Sequence, residues 1–248
     1  MLEAYRRQGI GRGWLRKVLE LADLHGATVV DMRTDQESGH AFLRWLGAGP
    51  KLRERESRLD LREVDWDLVS RWIVEGRARS PQTRLELHAE RVPEALFEEV
   101  SATLTELERL VPMEEADHGD YVFTVDKTRD WYGRLEVARG VHHTYLAREP
   151  DGSISGLTDI VKYAHETGFV RQQFTGVRPT AQGRGLGKWL KAAMLTHVRE
   201  RHPETVYITT ENAGSNAPML AINHQLGFRL HRLAVVYQIS RDALASRA

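Results

Sequence analysis

Apolar residues recur at helical spacing from Gly9 onward, at Ile10, Trp14, Val18, Leu21 and Ala22, with Gly26 as the stop. Ala27 to Met32 then reads as a buried strand, Ser38 to Leu46 as a short helix, and Leu52 to Leu61 alternates charged and apolar residues as a closing strand. The same order returns near the C-terminus. Leu186, Leu190, Ala193, Met194 and Val198 line one helical face, Thr205 to Thr210 is a strand, Asn216 to Leu226 a helix, and Leu233 to Ile239 a terminal strand rich in β-favouring residues. Each run opens with a glycine turn, and Gly187 lies 176 positions beyond Gly11, so the chain carries an internal repeat.

The copies differ in what stands before the turn. Ahead of the second, the pattern predicts strands at Leu85 to Glu90, His143 to Arg148, Ile154 to Tyr163 and Val170 to Val177, with helices around Pro93 to Leu110 and Thr128 to Arg139. Glu63 to Arg79 carries Val64, Leu68, Trp72 and Ile73 at helical spacing and ends at Ser80-Pro81, a helix-stopping pair. The expected organisation is a partial repeat over 1–62, a linker helix over 63–83 and a complete domain over 84–248, of α/β class with a mixed α+β sheet.

Composition narrows the function classes. The formal net charge is zero and no basic run dominates a segment, which gives nucleic acid and anionic membrane no electrostatic hold. The absence of cysteine excludes disulfides, thiolate metal sites and a cysteine nucleophile, and the pair His142 and His143 carries no metal-ligand spacing and is read as structural. The start of the chain has no apolar signal segment and no run approaches the ~18 apolar residues of a membrane span, so a cytoplasmic location is expected.

The chemistry concentrates at Val177 to Gly187. Gln182, Gly183, Gly185 and Gly187 follow an apolar strand and precede an amphipathic helix, an arrangement that leaves bare N–H groups at a helix N-terminus free for an anion such as a pyrophosphate. A dinucleotide-binding turn is the competitor, with Asp31, twenty residues after Gly11, imitating its ribose-binding acid. Spacing rejects it: the fingerprint is Gly-x-Gly-x-x-Gly, whereas Gly9, Gly11, Gly13 and Gly183, Gly185, Gly187 are each Gly-x-Gly-x-Gly.

With Gln182, Gly185 and Gly187 in the loop, Val177 and Pro179 before it, and Asn212, Asn216 and Leu226-Gly227-Phe228 after it, the chain resembles the GNAT superfamily of acyl-CoA N-acyltransferases, in particular its tandem members. The resemblance covers most of the chain. It implies acetyl-CoA as cosubstrate, its pyrophosphate held by backbone N–H groups from Gly183 through Leu186 to Lys188. The side chains of Arg184 and Lys188 either add charge there or stay solvated at the helix start. Thr175, Gly176 and Val177 would border the pantetheine arm, a backbone N–H of that strand would polarise the thioester carbonyl, and Asn212 and Asn216 would follow on the far side. Asn216 has a competing role as a helix cap.

Where many family members place a tyrosine as general acid, this chain has Asn223, which can donate a hydrogen bond to sulfur but no proton at neutral pH. Glu211, His224, His165 and Glu166 are the offers for a base, with Glu211 nearest the end of its strand. Glu114, Glu115, Asp117 and Asp120 form either an acidic lip for a cationic acceptor or a solvated loop. The resemblance implies direct acetyl transfer to an amine of a small molecule, leaves room for a homodimer, and keeps a non-catalytic acetyl-CoA-binding regulatory or sensor module as the second reading.

In the first copy Arg6, Gly9 and Gly11 fall at Gln182, Gly185 and Gly187, but Thr34-Asp35-Gln36-Glu37 replaces the asparagine segment and Leu43 stands at the Asn223 position. Its missing strands suggest a chain shortened at its start, with Met1 read from an internal valine codon, or else a short unit serving as a structural cap.

Overall fold

The computed structural model describes residues 3–117, 119 and 121–247, so Met1 and Asp120 lie outside the described residues. In chain order the elements are α1 (Ile10–Leu24), β1 (Val29–Thr34), α2 (Glu37–Leu46), β2 (Gly49–Asp60), α3 (Trp66–Arg79), β3 (Arg84–His88), α4 (Phe97–Glu108), α5 (Val125–Val137), β4 (Gly140–Arg148), β5 (Ile154–Tyr163), β6 (Phe169–Val177), α6 (Leu186–Arg201), β7 (Tyr207–Ala213), α7 (Ala217–Leu226), β8 (Arg229–Ser240) and α8 (Arg241–Ala245). Among the described residues no helix is long and apolar enough to cross a membrane. Two compact units result: residues 1–55, 113–117 and 232–248, and residues 56–112 with 118–231.

In the first unit β1 pairs antiparallel with the end of β8, Val29 opposite Ser240 and Thr34 opposite Val235. Leu15 of α1 and Leu43 and Leu46 of α2 pack with Tyr237, Ile239 and Leu244. Gly47, at φ 84, stops α2 in the left-handed region that a side chain disfavours.

The second unit is built on a mixed sheet, the fold class expected. β3, β4, β5 and β6 pair antiparallel in sequence, and β6 pairs parallel with β7. Alternation along β5 divides its side chains between two cores. Ile160 joins Val170, Met194, Val198 and Ile208 on one face, while Leu157 and Val161 join Phe97, Leu107, Tyr132 and Leu135 beneath α4 and α5 on the other. Caps set the helix starts: the Asp65 side chain accepts the Leu68 N–H at α3, Thr124 that of Lys127 at α5, and Asn216 that of Met219 at α7. α3 packs against α6 so closely that a Cβ on Gly76 would meet the Trp189 side chain at 2.5 Å.

One core position departs from the apolar rule. Lys191 of α6 is 2% exposed, its Nζ 5.3 Å from the centre of the Phe228 ring, and burial pulls its pKa down from 10.5 to about 7. Between those two values the folded chain binds fewer protons than the unfolded one, so stability rises with pH across that window and the penalty is complete below it. Lys191→Met, close in volume, is expected to be more stable at pH 6 by on the order of 3–5 kcal/mol, the advantage shrinking toward pH 10. Urea unfolding at the two pH values checks both the size and the trend.

Candidate functional site

Strand β6 loses its parallel partner partway along. Its register with β7 runs from Phe169 opposite Tyr207 to Gln172 opposite Thr210 and ends there, although β6 continues to Val177 and β7 to Ala213. On its other edge, Ile160 faces Gln172 and Thr158 faces Thr175, so Gln173 and Phe174 oppose the single residue Asp159, a β-bulge. Beyond the bulge, Thr175, Gly176 and Val177 border a cavity of about 560 Å³.

The opposite wall is the glycine turn. Gly183 (φ 76) and Gly185 (φ 81) both sit in the left-handed region, and Gly185 is the N-cap of α6 with no side-chain cap bond. Among the described residues, none of the backbone N–H groups from Gly183 to Lys188 has a hydrogen-bond acceptor; the first that does is Trp189, to the Gly185 carbonyl at 3.0 Å. Six donors at the positive end of a 16-residue helix are thus unsatisfied, and the residues of five of them, all but Arg184, line the cavity.

Gln182, Gly183, Gly185, Leu186, Gly187, Lys188 and Asn216 all line the same cavity as Thr175 to Val177. Asn216 does so while capping α7, so its capping and cavity positions coexist. Lys188 donates to Gln225 Oε1 at 2.9 Å and lies 4.8 Å from the Trp72 ring centre. Arg184 does not line the cavity. Its guanidinium is engaged by Ser80, Thr83 and the Glu149 carboxylate, with Nη1 3.1 Å from Oε1.

Asn212 and Asn223 also stand outside the lining and face each other, Asn223 Nδ2 donating to Asn212 Oδ1 at 2.8 Å. Asn223 is 3% exposed and its own Oδ1 has no partner among the described residues. Glu211 and His224 are exposed and not at the cavity, His165 is exposed, and Glu166 is buried and held by the Arg171 guanidinium. The Glu114 carboxylate accepts the Arg53 N–H and Glu115 pairs with Lys51, both within the first unit, and Asp120 lies outside the described residues. Trp72 and Arg79 of α3 do line the cavity, the Arg79 chain passing 3.7 Å from where a Gly185 Cβ would stand. Nothing in the loop itself signals them, because they come from a helix about a hundred residues earlier.

The first repeat reproduces the turn within its own unit. Gly9 (φ 77) is the N-cap of α1, the Gly13 N–H returns to the Gly9 carbonyl at 2.9 Å, and Arg7 occupies the left-handed region at φ 61 where the second copy has Gly183. A Cβ on Gly11 would stand 3.5 Å from Phe42, as one on Gly187 would from Ile222. Gln36, at the Asn216 position, makes no side-chain cap bond.

Burial pushes the Glu149 carboxyl up, but hydrogen bonds from Ser155, Arg184 and Thr83 outweigh it and hold the group below the usual glutamate range. A depressed folded-state pKa contributes stability above the unfolded value and loses it as pH falls through the folded one. Arg184→Ala is therefore expected to cost about 1–3 kcal/mol near pH 7, with the deficit shrinking below about pH 4. Denaturant midpoints across that range check it.

Residues 104–228 match the acetyltransferase (GNAT) family. A mycothiol acetyltransferase of Saccharomonospora viridis is 47% identical over 62 residues, which is 25% of this chain and 20% of that protein, so the likeness spans a fifth of the curated relative. Among solved structures, a tandem GNAT protein from the clavulanic acid biosynthesis pathway superposes with a TM-score of 0.71 at 23% identity, covering 96% of this chain and 72% of that one. A GCN5-related N-acetyltransferase from Sphaerobacter thermophilus gives 0.62 at 15% identity, over 96% and 70% of the two chains. At such identities the structural likeness speaks for the fold.

Proposed function

The chain belongs to the acetyltransferase (GNAT) family, and from that premise we propose that its second unit binds acetyl-CoA and transfers the acetyl group directly to an amine of a small molecule. The observation that carries the reading is the set of six unsatisfied N–H donors from Gly183 to Lys188 beside the divergence of β6 from β7. A pyrophosphate supplies the acceptors these donors lack, and an extended polar arm fits the gap where β6 has no partner strand. The thioester supplies the activated acyl group. This chain's part is to fix it: Thr175 to Val177 offer strand backbone along one side, and Asn216 stands across the cavity. Lys188 and Arg79 add positive charge at the phosphate end. With no cysteine in the chain, a direct transfer is preferred to an acyl-cysteine intermediate.

The second reading is a binding module without catalysis. It is favoured by Asn223, which stands at the sequence position of the family's tyrosine, is buried against Asn212, and does not line the cavity. Coenzyme A is a thiol with a pKa near 8.5, so its thiolate leaves tolerably without full protonation, and the transferase reading survives the substitution.

The test is release of free thiol from acetyl-CoA in the presence of a panel of primary amines. Amine-dependent release is expected; tight acetyl-CoA binding with no acceptor-dependent release overturns catalysis and leaves the module. Gly185→Val places a branched side chain at φ 81 in the middle of the cradle. It is expected to weaken acetyl-CoA at least about tenfold, 1.4 kcal/mol, by calorimetry.

A further inference from the structure

A second cavity, of about 480 Å³, lies in the same unit, between helices α4 and α5 and strands β4 to β6. Its walls are largely aromatic and aliphatic: Phe97 and Leu104 from α4, Trp131 from α5, Phe123 from the connection between those helices, and Phe174 from the bulge of β6. Phe174 also lines the first cavity, so a single residue separates the aromatic pocket from the strand segment Thr175 to Val177.

At this cavity stands a hydrogen-bonded chain that the glycine loop does not involve. The Val92 N–H donates to the Tyr132 hydroxyl at 3.0 Å, which leaves that hydroxyl to donate to His142 Nδ1 at 2.7 Å. With Nδ1 accepting, the imidazole carries its proton on Nε2 and donates it to Asp159 Oδ2 at 2.8 Å. The other carboxylate oxygen accepts the Phe174 N–H at 2.7 Å, the group freed by the bulge. Asp159 is thus held by two N–H donors, and its side chain is only 13% exposed. Among the described residues no lysine or arginine reaches it; its one ionic contact is His142.

A carboxylate this far out of water favours an opposite charge beside it, and two N–H donors meet only part of that need. Ring faces attract a cation as well: the Arg91 guanidinium lies 4.8 Å from the Tyr132 ring centre and 5.7 Å from that of Phe97, while Trp131 and Phe174 line the cavity beside Asp159. Around the cavity, exposed Lys127 and Arg134 stand against exposed Asp130 and half-buried Glu108, and among the described residues neither cation pairs with Asp159.

We propose that this cavity is the acceptor site, and that it takes a primary ammonium carried on an apolar or aromatic body, with the charge on Asp159 and the body between Phe97, Leu104, Trp131 and Phe174. The assignment rests on the acetyl-transfer reading for its role as acceptor, and on the cavity alone for its ligand chemistry. Asp159 is the specificity-determining residue. His142 and Tyr132 are positioning residues that act through it.

The probe pair is 2-phenylethylamine and its neutral isostere 2-phenylethanol, with spermidine as a cation lacking an aromatic body, titrated into the full chain by calorimetry. Phenylethylamine is expected to bind at least about tenfold more tightly than either. Asp159→Asn is expected to bring the amine and the alcohol to within about twofold of each other while acetyl-CoA affinity holds. His142→Gln, which keeps an N–H donor, retains the preference, and His142→Leu loses it, a rescue that a purely structural role does not produce. Equal binding of amine and alcohol by the unaltered chain overturns the proposal, and that comparison needs no variant to fold. Leu104→Trp, which fills the cavity, supplies a second route: unchanged amine binding in it overturns the assignment. Amine discrimination without amine-dependent thiol release sinks the transferase reading and keeps the cation site; thiol release with no such discrimination does the reverse.

Discussion

Backbone N–H groups need acceptors, and the second unit leaves two sets of them without a partner of the ordinary kind. One set is at the start of α6, where a helix cannot satisfy its own first turn and no side chain caps it. The other is the β7-facing edge of β6, which has no ladder pairing with β7 after Gln172 although its opposite edge stays paired to β5. A strand that gives up a ladder partner in mid-sheet and a helix that starts uncapped beside it are each unfavourable alone. Together they line one cavity, the one proposed to take a ligand that is long, polar and anionic at one end. The left-handed Gly183 and Gly185 bring the turn into place, and the apolar contacts of Leu186, Leu190 and Val198 anchor the helix behind it.

The bulge in β6 belongs to the same economy of donors. An extra residue opposite Asp159 turns the Phe174 N–H out of the ladder, and the Asp159 side chain takes the place of the missing carbonyl. That exchange fixes a carboxylate at the one point of the strand that borders both cavities. Its second oxygen then organises His142, and through it Tyr132, whose hydroxyl burial pushes up to about 12, so that it stays a neutral donor.

The repeat, the turn, the Asn216 cap and the α/β class were legible because each depends on neighbours close in sequence. Glycine spacing, 3.6-residue periodicity and an asparagine at a helix start are all local. Ile154 to Tyr163 is the strand found, whereas Thr205 to Thr210 begins two residues before the strand that forms, since Thr205 and Val206 carry little to tell loop from ladder. What stayed hidden depends on partners far apart. His142 and His143 look alike as a pair, yet a strand sends adjacent side chains to opposite faces. His143 goes into a chain with His197 and His202 at 2.9 and 3.1 Å, where burial first and then His197 hold its pKa down to about 3, while His142 reaches the aromatic cavity. The side chain of Arg184 reads from the loop as either a phosphate charge or a solvated group, and the partners that hold its guanidinium, Glu149 and Thr83, are remote in sequence. No local pattern marks Lys191 either, whose ordinary helical position becomes a buried charge only once Phe228 is placed against it.

The two glycine turns show how little of such a site the turn itself determines. Gly9 and Gly185 share a conformation, the first helical bond closes the same way in each, and the glycine two positions on leaves the same clearance to a side chain of the following short helix. Even the left-handed residue two places earlier is kept, as Arg7 in one copy and Gly183 in the other, although an arginine there is strained by about 1–2 kcal/mol. The divergence lies in the following helix. Asn216 caps α7 and lines a cavity, and Asn223 is tied to Asn212. In the first copy Gln36 makes no side-chain cap bond, and Leu43, 5% exposed, packs as core. The left-handed step into the helix depends on the turn's own residues, so it repeats in both copies, whereas the side chains around it come from the helix that follows, where the two copies differ.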